Sequence, residues 1–256
     1  MSSVAIVAPV YITNDEHFAF AYRTMASIPS QNRNIDTIAI VNKIRDNGTD
    51  QKWLEDNFKY IEWNDKNVLS RAWNKGAKKA FERGHKYALI INLDILFQPQ
   101  AIDNLVQDAE EHPDNIIWSS YMWEDVRTFD QAIPKDEFLA DAHFSCFMID
   151  EKLFKEVGEF DEQFVPIYHE DCDMRRRVKL KGHTMRMTKK SWFYHLENGV
   201  LKGLAAGQKD AETQLEFQAY CSHLDVNRQR YLAKWGGPPY KEVFTQPYNG
   251  KPAPQI

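Results

Sequence analysis

The sequence predicts an α/β protein: an open, twisted, mostly parallel sheet flanked by helices, Rossmann-like in its alternation, with a C-terminal helical extension. Three observations lead there. The runs VAIVAPVY, IDTIAIV and YALIINLD are built from branched and small apolar residues, as in strands buried on both faces. Helix-period segments separate them, which is the alternation expected of a parallel sheet. Acidic residues then fall at the ends of apolar runs, where open α/β sheets place their ligands.

Each element follows from local chemistry. Val4 to Val10 is the first strand, and Asn14 or Asp15 caps a helix through HFAFAYRTMASI that ends near Pro29. Ile35 to Val41 is the second strand, and DNGTD, Asp46 to Asp50, reads as a turn. After a short apolar patch at Tyr60 to Trp63, Leu69, Ala72, Trp73, Gly76 and Ala80 keep helical spacing up to a stop at Gly84. Tyr87 to Asp94 is the next buried strand, and Gln100 to Glu111 is an amphipathic helix entered through Pro99.

Ile116 to Trp123 reads as a strand running into an aromatic loop, Thr128 to Phe138 as turn-like, and Phe144 to Asp150 as another strand. EKLFKEVG is a short helix closed by Gly158, an acidic helix follows at Glu170, and two short strands are expected at Thr184 to Met187 and Ser191 to His195. From Asp210 to Trp235 an amphipathic helix, broken or capped near Asp225, ends at GGPP, and YNGKPAPQI is expected to be a flexible or surface-hugging terminus.

Composition bounds the function. At 256 residues the chain is long enough for one large α/β domain or two small ones with a substantial core, and one domain with a C-terminal extension is favoured. A net charge of −5 argues against nonspecific wrapping of nucleic acid, because that affinity comes mainly from basic residues that release counterions. Cys146, Cys172 and Cys221 are odd in number and form no CxxC pair, so they read as reduced thiols. With no long uncharged apolar run and no signal-peptide pattern at MSSVAIVAPVY, the chain is expected to be cytoplasmic, or at most peripheral to a membrane.

The tract VGEFDEQFVPIYHEDCDMRRR, Val157 to Arg177, places Glu170, Asp171 and Asp173 within four positions. Acids at a helix start and bases at its end complement the helix dipole without any further role, at about 0.3 to 1 kcal/mol per charge. Asp94 behind LIINL and His195 behind SWFY supply a second and third polar site at strand ends. Taken singly, Asp94 also suits a cap on the turn before Pro99, and His195 an ordinary half-buried histidine.

In order, the chain shows a strand ending APVY, the helix segment AWNKG, LIINLD, GEFDE, HEDCD and a late histidine. This order resembles the family 2 glycosyltransferases of the GT-A fold over about residues 4 to 197. Ala72, Asn74 and Gly76 match an A-x-N-x-G helix, and Asn92 and Asp94 occupy the D-x-D positions, with Asn in place of the first acid. Gly158, Phe160, Asp161 and Glu162 match GxFDE, and Glu170, Asp171 and Asp173 match the acidic ED-x-D motif. NRQRYLAKWGG, Asn227 to Gly237, is similar to a C-terminal pattern of some of these transferases. The resemblance implies a GT-A catalytic domain over residues 1–200, with a nucleotide-sugar half to about 97 and an acceptor half from about 98, and an extension over 201–256.

The chemistry such a site needs is specific. Breaking a glycosidic bond to a nucleoside diphosphate leaves negative charge on the diphosphate, which a divalent cation offsets. The resemblance implies Asp94 and His195 as protein ligands of Mn²⁺ or Mg²⁺, the imidazole favouring Mn²⁺. An acceptor hydroxyl also needs a base within hydrogen-bond reach. The resemblance assigns Asp171 that role, with inversion at the sugar, and Glu170 orients the acceptor or shares the charge. Asp173 is left to anchor the helix or loop.

The implied donor is a nucleotide sugar, a UDP-sugar first, contacted by Pro9 and Tyr11 and by Asn42 or the nearby Asp46. Asn92 is a further candidate donor contact, and Arg71 and Asn74 are candidate diphosphate or ribose contacts, Arg71 reading equally as an exposed helix residue. Trp118, Tyr121, Trp123 and Trp192 suit either an acceptor platform or core packing. Soluble glycans, lipid-linked intermediates and other hydroxyl acceptors fit, and net charge disfavours a nucleic-acid acceptor. A retaining transferase, a nucleotidyltransferase and an inactive carbohydrate-binding relative are the rival readings; the nucleotidyltransferase lacks a Gly-rich loop after strand one.

Overall fold

The computed structural model describes residues 3–28, 35–124, 128–129, 133–196 and 211–254. In chain order the elements are β1 (Val4–Tyr11), α1 (Asp15–Ser27), β2 (Asp36–Lys43), α2 (Gly48–Asn57), β3 (Tyr60–Trp63), α3 (Leu69–Glu82), β4 (Tyr87–Ile91) and β5 (Ile95–Phe97). They continue with α4 (Ala101–Glu111), β6 (Asn115–Trp123), β7 (Phe138–Leu139), β8 (Cys146–Asp150), α5 (Glu151–Glu156), α6 (Glu170–Leu180), β9 (Thr184–His195) and α7 (Ala211–Trp235). Among the described residues no helix is long and apolar enough to cross a membrane.

One sheet runs β3-β2-β1-β4-β8-β6-β9-β5, with β7 paired to β9. β1 pairs in parallel with β2 and β4, β2 with β3, and β6 with β9, while β8, β5 and β7 run against their neighbours. Most strands therefore point one way, and the order reverses at β1, which opens a crevice beyond the carboxyl ends of β1, β2 and β4.

Each buried strand feeds two cores. Val4, Ile6, Ala8 and Val10 pack with Met25, Trp53, Leu54 and Leu105 on the face covered by α1, α2 and α4. Ala5 and Val7 pack with Trp73, Ala77, Leu153 and Val178 on the face of α3, α5 and α6. The helix α3 lies so close to β1 that a Cβ on Gly76 would sit 2.1 Å from Val7 Cγ1. Only glycine permits that approach.

The structure departs from the sequence reading in four elements. DNGTD is the entry to α2, not a free turn: Asn47 Oδ1 accepts from Asp50 N at 2.8 Å, so the same polar residues cap a helix. β4 stops at Ile91, and the short β5 starts only after Asp94. β9 is one continuous strand, because a register shift against β6 absorbs the TKKS stretch and Ser191 Oγ bonds Ser120 Oγ at 2.6 Å. α7 is unbroken at Asp225, which lies on its exposed face. Pro29 and residues 197–210, which hold the expected boundary of the extension, lie outside the described residues, and 128–138 is described only in part.

Candidate active site

Two joined cavities occupy the crevice, each of about 860–870 Å³ including its open mouth. Pro9, Tyr11, His17, Asn42 and Asn67 line the first. His143, Glu170, Asp171, Arg175 and His195 line the second. Leu69, Asn92, Asp94 and Ile167 border both, so the Asn-x-Asp segment after β4 stands at the junction.

Sheet register brings Asp94 and His195 together. Ile95 pairs with His195 in the β5–β9 ladder, and Leu196 N donates to Asp94 O at 2.7 Å, so the two side chains emerge at the same end. His195 Nε2 lies 3.5 Å from Asp94 Oδ1, with side-chain exposures of 14% and 12%. That spacing is within reach of one cation bonded to both, since such bonds run about 2.0–2.2 Å. Among the described residues no third His, Cys, Asp or Glu joins them, so the donor set is one oxygen and one nitrogen facing a cavity. The pair fits a divalent ion whose remaining positions are filled from the ligand side.

The acids of α6 have three different environments. Glu170 is buried, and its Oε2 meets no hydrogen-bond partner among the described residues. Burial, reinforced by the charge of Asp171, raises its pKa well above the ordinary carboxylate range. Asp171 is one third exposed in the second cavity, with Arg175 Nη1 4.0 Å away. Arg175 is itself fixed by Asp141 at 2.7 Å and by the Ala142 carbonyl at 3.1 Å. Asp173 is fully buried on the opposite side and accepts from Arg177 Nε, Trp235 Nε1 and Lys234 Nζ at 2.8, 2.9 and 2.5 Å.

The segment leading into α6 is pinned from two directions. Leu69 N donates to Pro166 O at 2.9 Å, and Asn227 Nδ2 of α7 donates to Val165 O at 3.0 Å and Ile167 O at 2.8 Å. Lys234 adds a bond to Asp161 at 2.7 Å, and Phe164 packs with Tyr231 and Trp235. These contacts hold Tyr168 and His169 in the left-handed region, at φ of 79° and 73°, a conformation that non-glycine residues keep only under such constraint. The NRQRYLAKWGG pattern is thus the buttress of the loop that carries Ile167 and Tyr168 into the cleft.

Not every residue singled out from the sequence faces that cleft. Asn74 is buried and exchanges two 2.9 Å bonds with the backbone of Phe160, with a third to Glu162, which locks GEFDE onto α3. Arg71 pairs with Asp65 and Glu162. Neither lines either cavity, and Asp46, bonded by Gln51, does not either. Trp118 is core, packed against Tyr87 with its indole N–H on His112 O. Tyr121 and Trp123 stack edge-to-face on Trp192 in a separate cluster with Phe129 and Tyr194.

His143, Ser145, Asn67 and Arg175 line the cleft and were not legible as site residues. Burial, followed by the charge of His195, lowers the His143 pKa to about 4, so it presents a neutral imidazole. The single available signal was AHFSC just before β8, a polar pair ahead of a buried strand.

A profile of the family described as Glycosyl transferase family 2 matches residues 6–193. Among solved structures, GalNAc-T7 with UDP, GalNAc and Mn²⁺ is similar at a TM-score of 0.61 and 12% identity, over 76% of this chain and 44% of that one. TarS of S. aureus is similar at 0.56 and 12% identity, over 79% of this chain and 38% of that one. The chain thus spans less than half the length of either, and the likeness is one of fold. No curated protein matches it in sequence.

Proposed function

The chain belongs to glycosyl transferase family 2, and from that premise and the cleft geometry we propose that it moves a sugar from a nucleoside-diphosphate sugar, a UDP-sugar first, to an acceptor hydroxyl with inversion. The observation that carries this reading is the placement of Asp94 at the seam between two cavities, with His195, 3.5 Å from it, and Asp171 both on the second cavity only. Nucleoside and diphosphate fit the side of Pro9, Tyr11 and Asn42, and the acceptor fits the side of Asp171. GalNAc-T7, similar in fold, is described with UDP and Mn²⁺, which supports the choice of donor and ion.

Asp94 and His195 would hold Mn²⁺ or Mg²⁺, which when bound offsets charge on the departing diphosphate. Asn92 contributes a neutral amide at the same junction. Asp171 takes the proton from the acceptor hydroxyl as that oxygen attacks the anomeric carbon and the bond to the diphosphate breaks. Glu170, whose carboxyl pKa is pushed up by burial and by the charge of Asp171, orients the acceptor or shares the charge. Arg175, held by Asp141, fixes the wall beside Asp171. The acceptor class stays with glycans, lipid-linked intermediates and other hydroxyl compounds.

The test is product analysis with UDP-sugars and Mn²⁺. Released UDP with an inverted anomer is the expected result. Released pyrophosphate indicates a nucleotidyltransferase, and a retained anomer removes Asp171 from the role of base. Asp94→Ala is expected to weaken both Mn²⁺ and donor binding in calorimetric titration.

A further inference from the structure

Asn42 lies at the carboxyl end of β2 and lines the cavity that excludes Glu170, Asp171 and His195. Its amide orientation is fixed by a neighbour. Asn64 Nδ2 donates to Asn42 Oδ1 at 2.7 Å and to the Val68 carbonyl at 3.2 Å. A carbonyl only accepts, so Asn64 must turn its NH₂ group, not its oxygen, toward Val68. The second N–H of that group then points at Asn42 and requires an oxygen there. Asn64 is itself buried and tied by its backbone N–H to Val41 O at 2.9 Å, so it has no freedom to turn away. Asn42 keeps its own NH₂ group, for which no acceptor is found among the described residues, and one lone pair of the Oδ1 that Asn64 already holds.

We infer that Asn42 reads the donor's base as a hydrogen-bond donor, so that the cleft recognises acceptor atoms of a pyrimidine and admits cytosine as readily as uracil. This rests on the reading above that the first cavity takes the nucleoside of a nucleotide sugar. Uracil presents O2 and O4 on either side of a protonated N3, whereas cytosine presents a bare N3 next to O2. An NH₂ group finds an acceptor on both rings. A carboxylate at the same place accepts only, so it takes the N3–H of uracil, whereas on cytosine the bare N3 and O2 repel it and the N4 amino group alone is left to it.

Calorimetric titration of the full chain with UDP and with CDP, in the presence of Mn²⁺, tests this. The two affinities are expected to lie within about fivefold of each other, because each base satisfies the same NH₂ group. Asn42→Asp keeps the shape and still accepts from Asn64, and is expected to shift the ratio about tenfold or more toward UDP by weakening CDP. Asn64→Ala frees the Asn42 amide to present its oxygen, and is expected to shift the ratio in the same direction by less; it serves if Asn42→Asp does not fold. A wild-type preference for UDP beyond about fivefold, or a ratio unmoved by these substitutions, overturns the inference while leaving the glycosyltransferase reading intact. Failure of both nucleotides to bind overturns that reading and the inference with it.

Discussion

The β3-β2-β1-β4 half of the sheet and the β8-β6-β9-β5 half build their sides of the cleft by different means. In the first, the parallel strands β1, β2 and β4 are buried on both faces and end together, and Pro9, Tyr11, Asn42 and Asn92 at their ends meet the cavity beside His17 and Phe20 of α1. In the second, Asp171 and Glu170 arrive on a helix preceded by an irregular segment, pinned by Leu69, Asn227 and the Asp173–Lys234–Trp235 knot. Apolar packing positions the first side and buried polar bonds position the second. Sterics should therefore damage the donor side, and loss of a single polar partner the reacting side.

The largest contrast lies within one helix, between Asp171 and Asp173. Asp171→Asn keeps shape but cannot take a proton, so turnover should fall about 10²–10⁴-fold while UDP affinity and melting temperature stay close to wild type. Steady-state kinetics with donor titration checks this; an unaltered kcat removes Asp171 from the mechanism. Asp173→Ala should do the reverse. It leaves buried Lys234 with Asp161 alone and Arg177 and Trp235 without their carboxylate, at a cost of about 3–5 kcal/mol of stability in urea unfolding.

On the donor side the test is steric. Gly76→Ala drives a methyl group to 2.1 Å from Val7 Cγ1 and 3.2 Å from Ile40 Cγ1 in the core, and should cost about 1–3 kcal/mol. Adding Val7→Ala should recover part of that loss. Two changes that are additive instead would show that α3 moves as a body and that the donor wall is less rigid than its packing indicates.

The same contrast decides how much was legible in the sequence. β1, β2, α3 and the apolar core of β4 follow from periodicity, because burial on both faces leaves an uninterrupted apolar run. The reacting side was legible only as residue types in order: Glu170, Asp171, Asp94 and His195 do line the cleft, but nothing local indicated that Asn227, more than 55 positions downstream, holds Val165 and Ile167. Asn74 and Arg71 look alike as polar residues on one helix, yet long-range bonds to Phe160 and Glu162 hold both outside the lining of the cleft. Polar stretches were ambiguous for a common reason: NGTD caps a helix, TKKS stays in a strand, and both have the composition of a turn.

The smallest expected effect concerns Glu170, where the reacting side keeps a polar group against its own stability. Burial and Asp171 raise the folded-state pKa of Glu170, whereas the unfolded chain ionises near its ordinary value of about 4.3. Below that value both states are protonated and nothing is lost. As pH rises above it, the unfolded state releases its proton first, so the stability contribution declines until the pH passes the folded-state pKa. Glu170→Gln removes this dependence. Its melting temperature should match wild type near pH 4 and exceed it at pH 7 to 8, while turnover falls through loss of the carboxyl that orients the acceptor or shares the charge. A wild-type chain whose stability does not decline relative to the variant over that window would mean that Glu170 is ionised in the fold, with a cation or water satisfying Oε2. Stabilisation accompanied by lost activity would instead identify Glu170 as a group retained for its chemistry rather than for the fold.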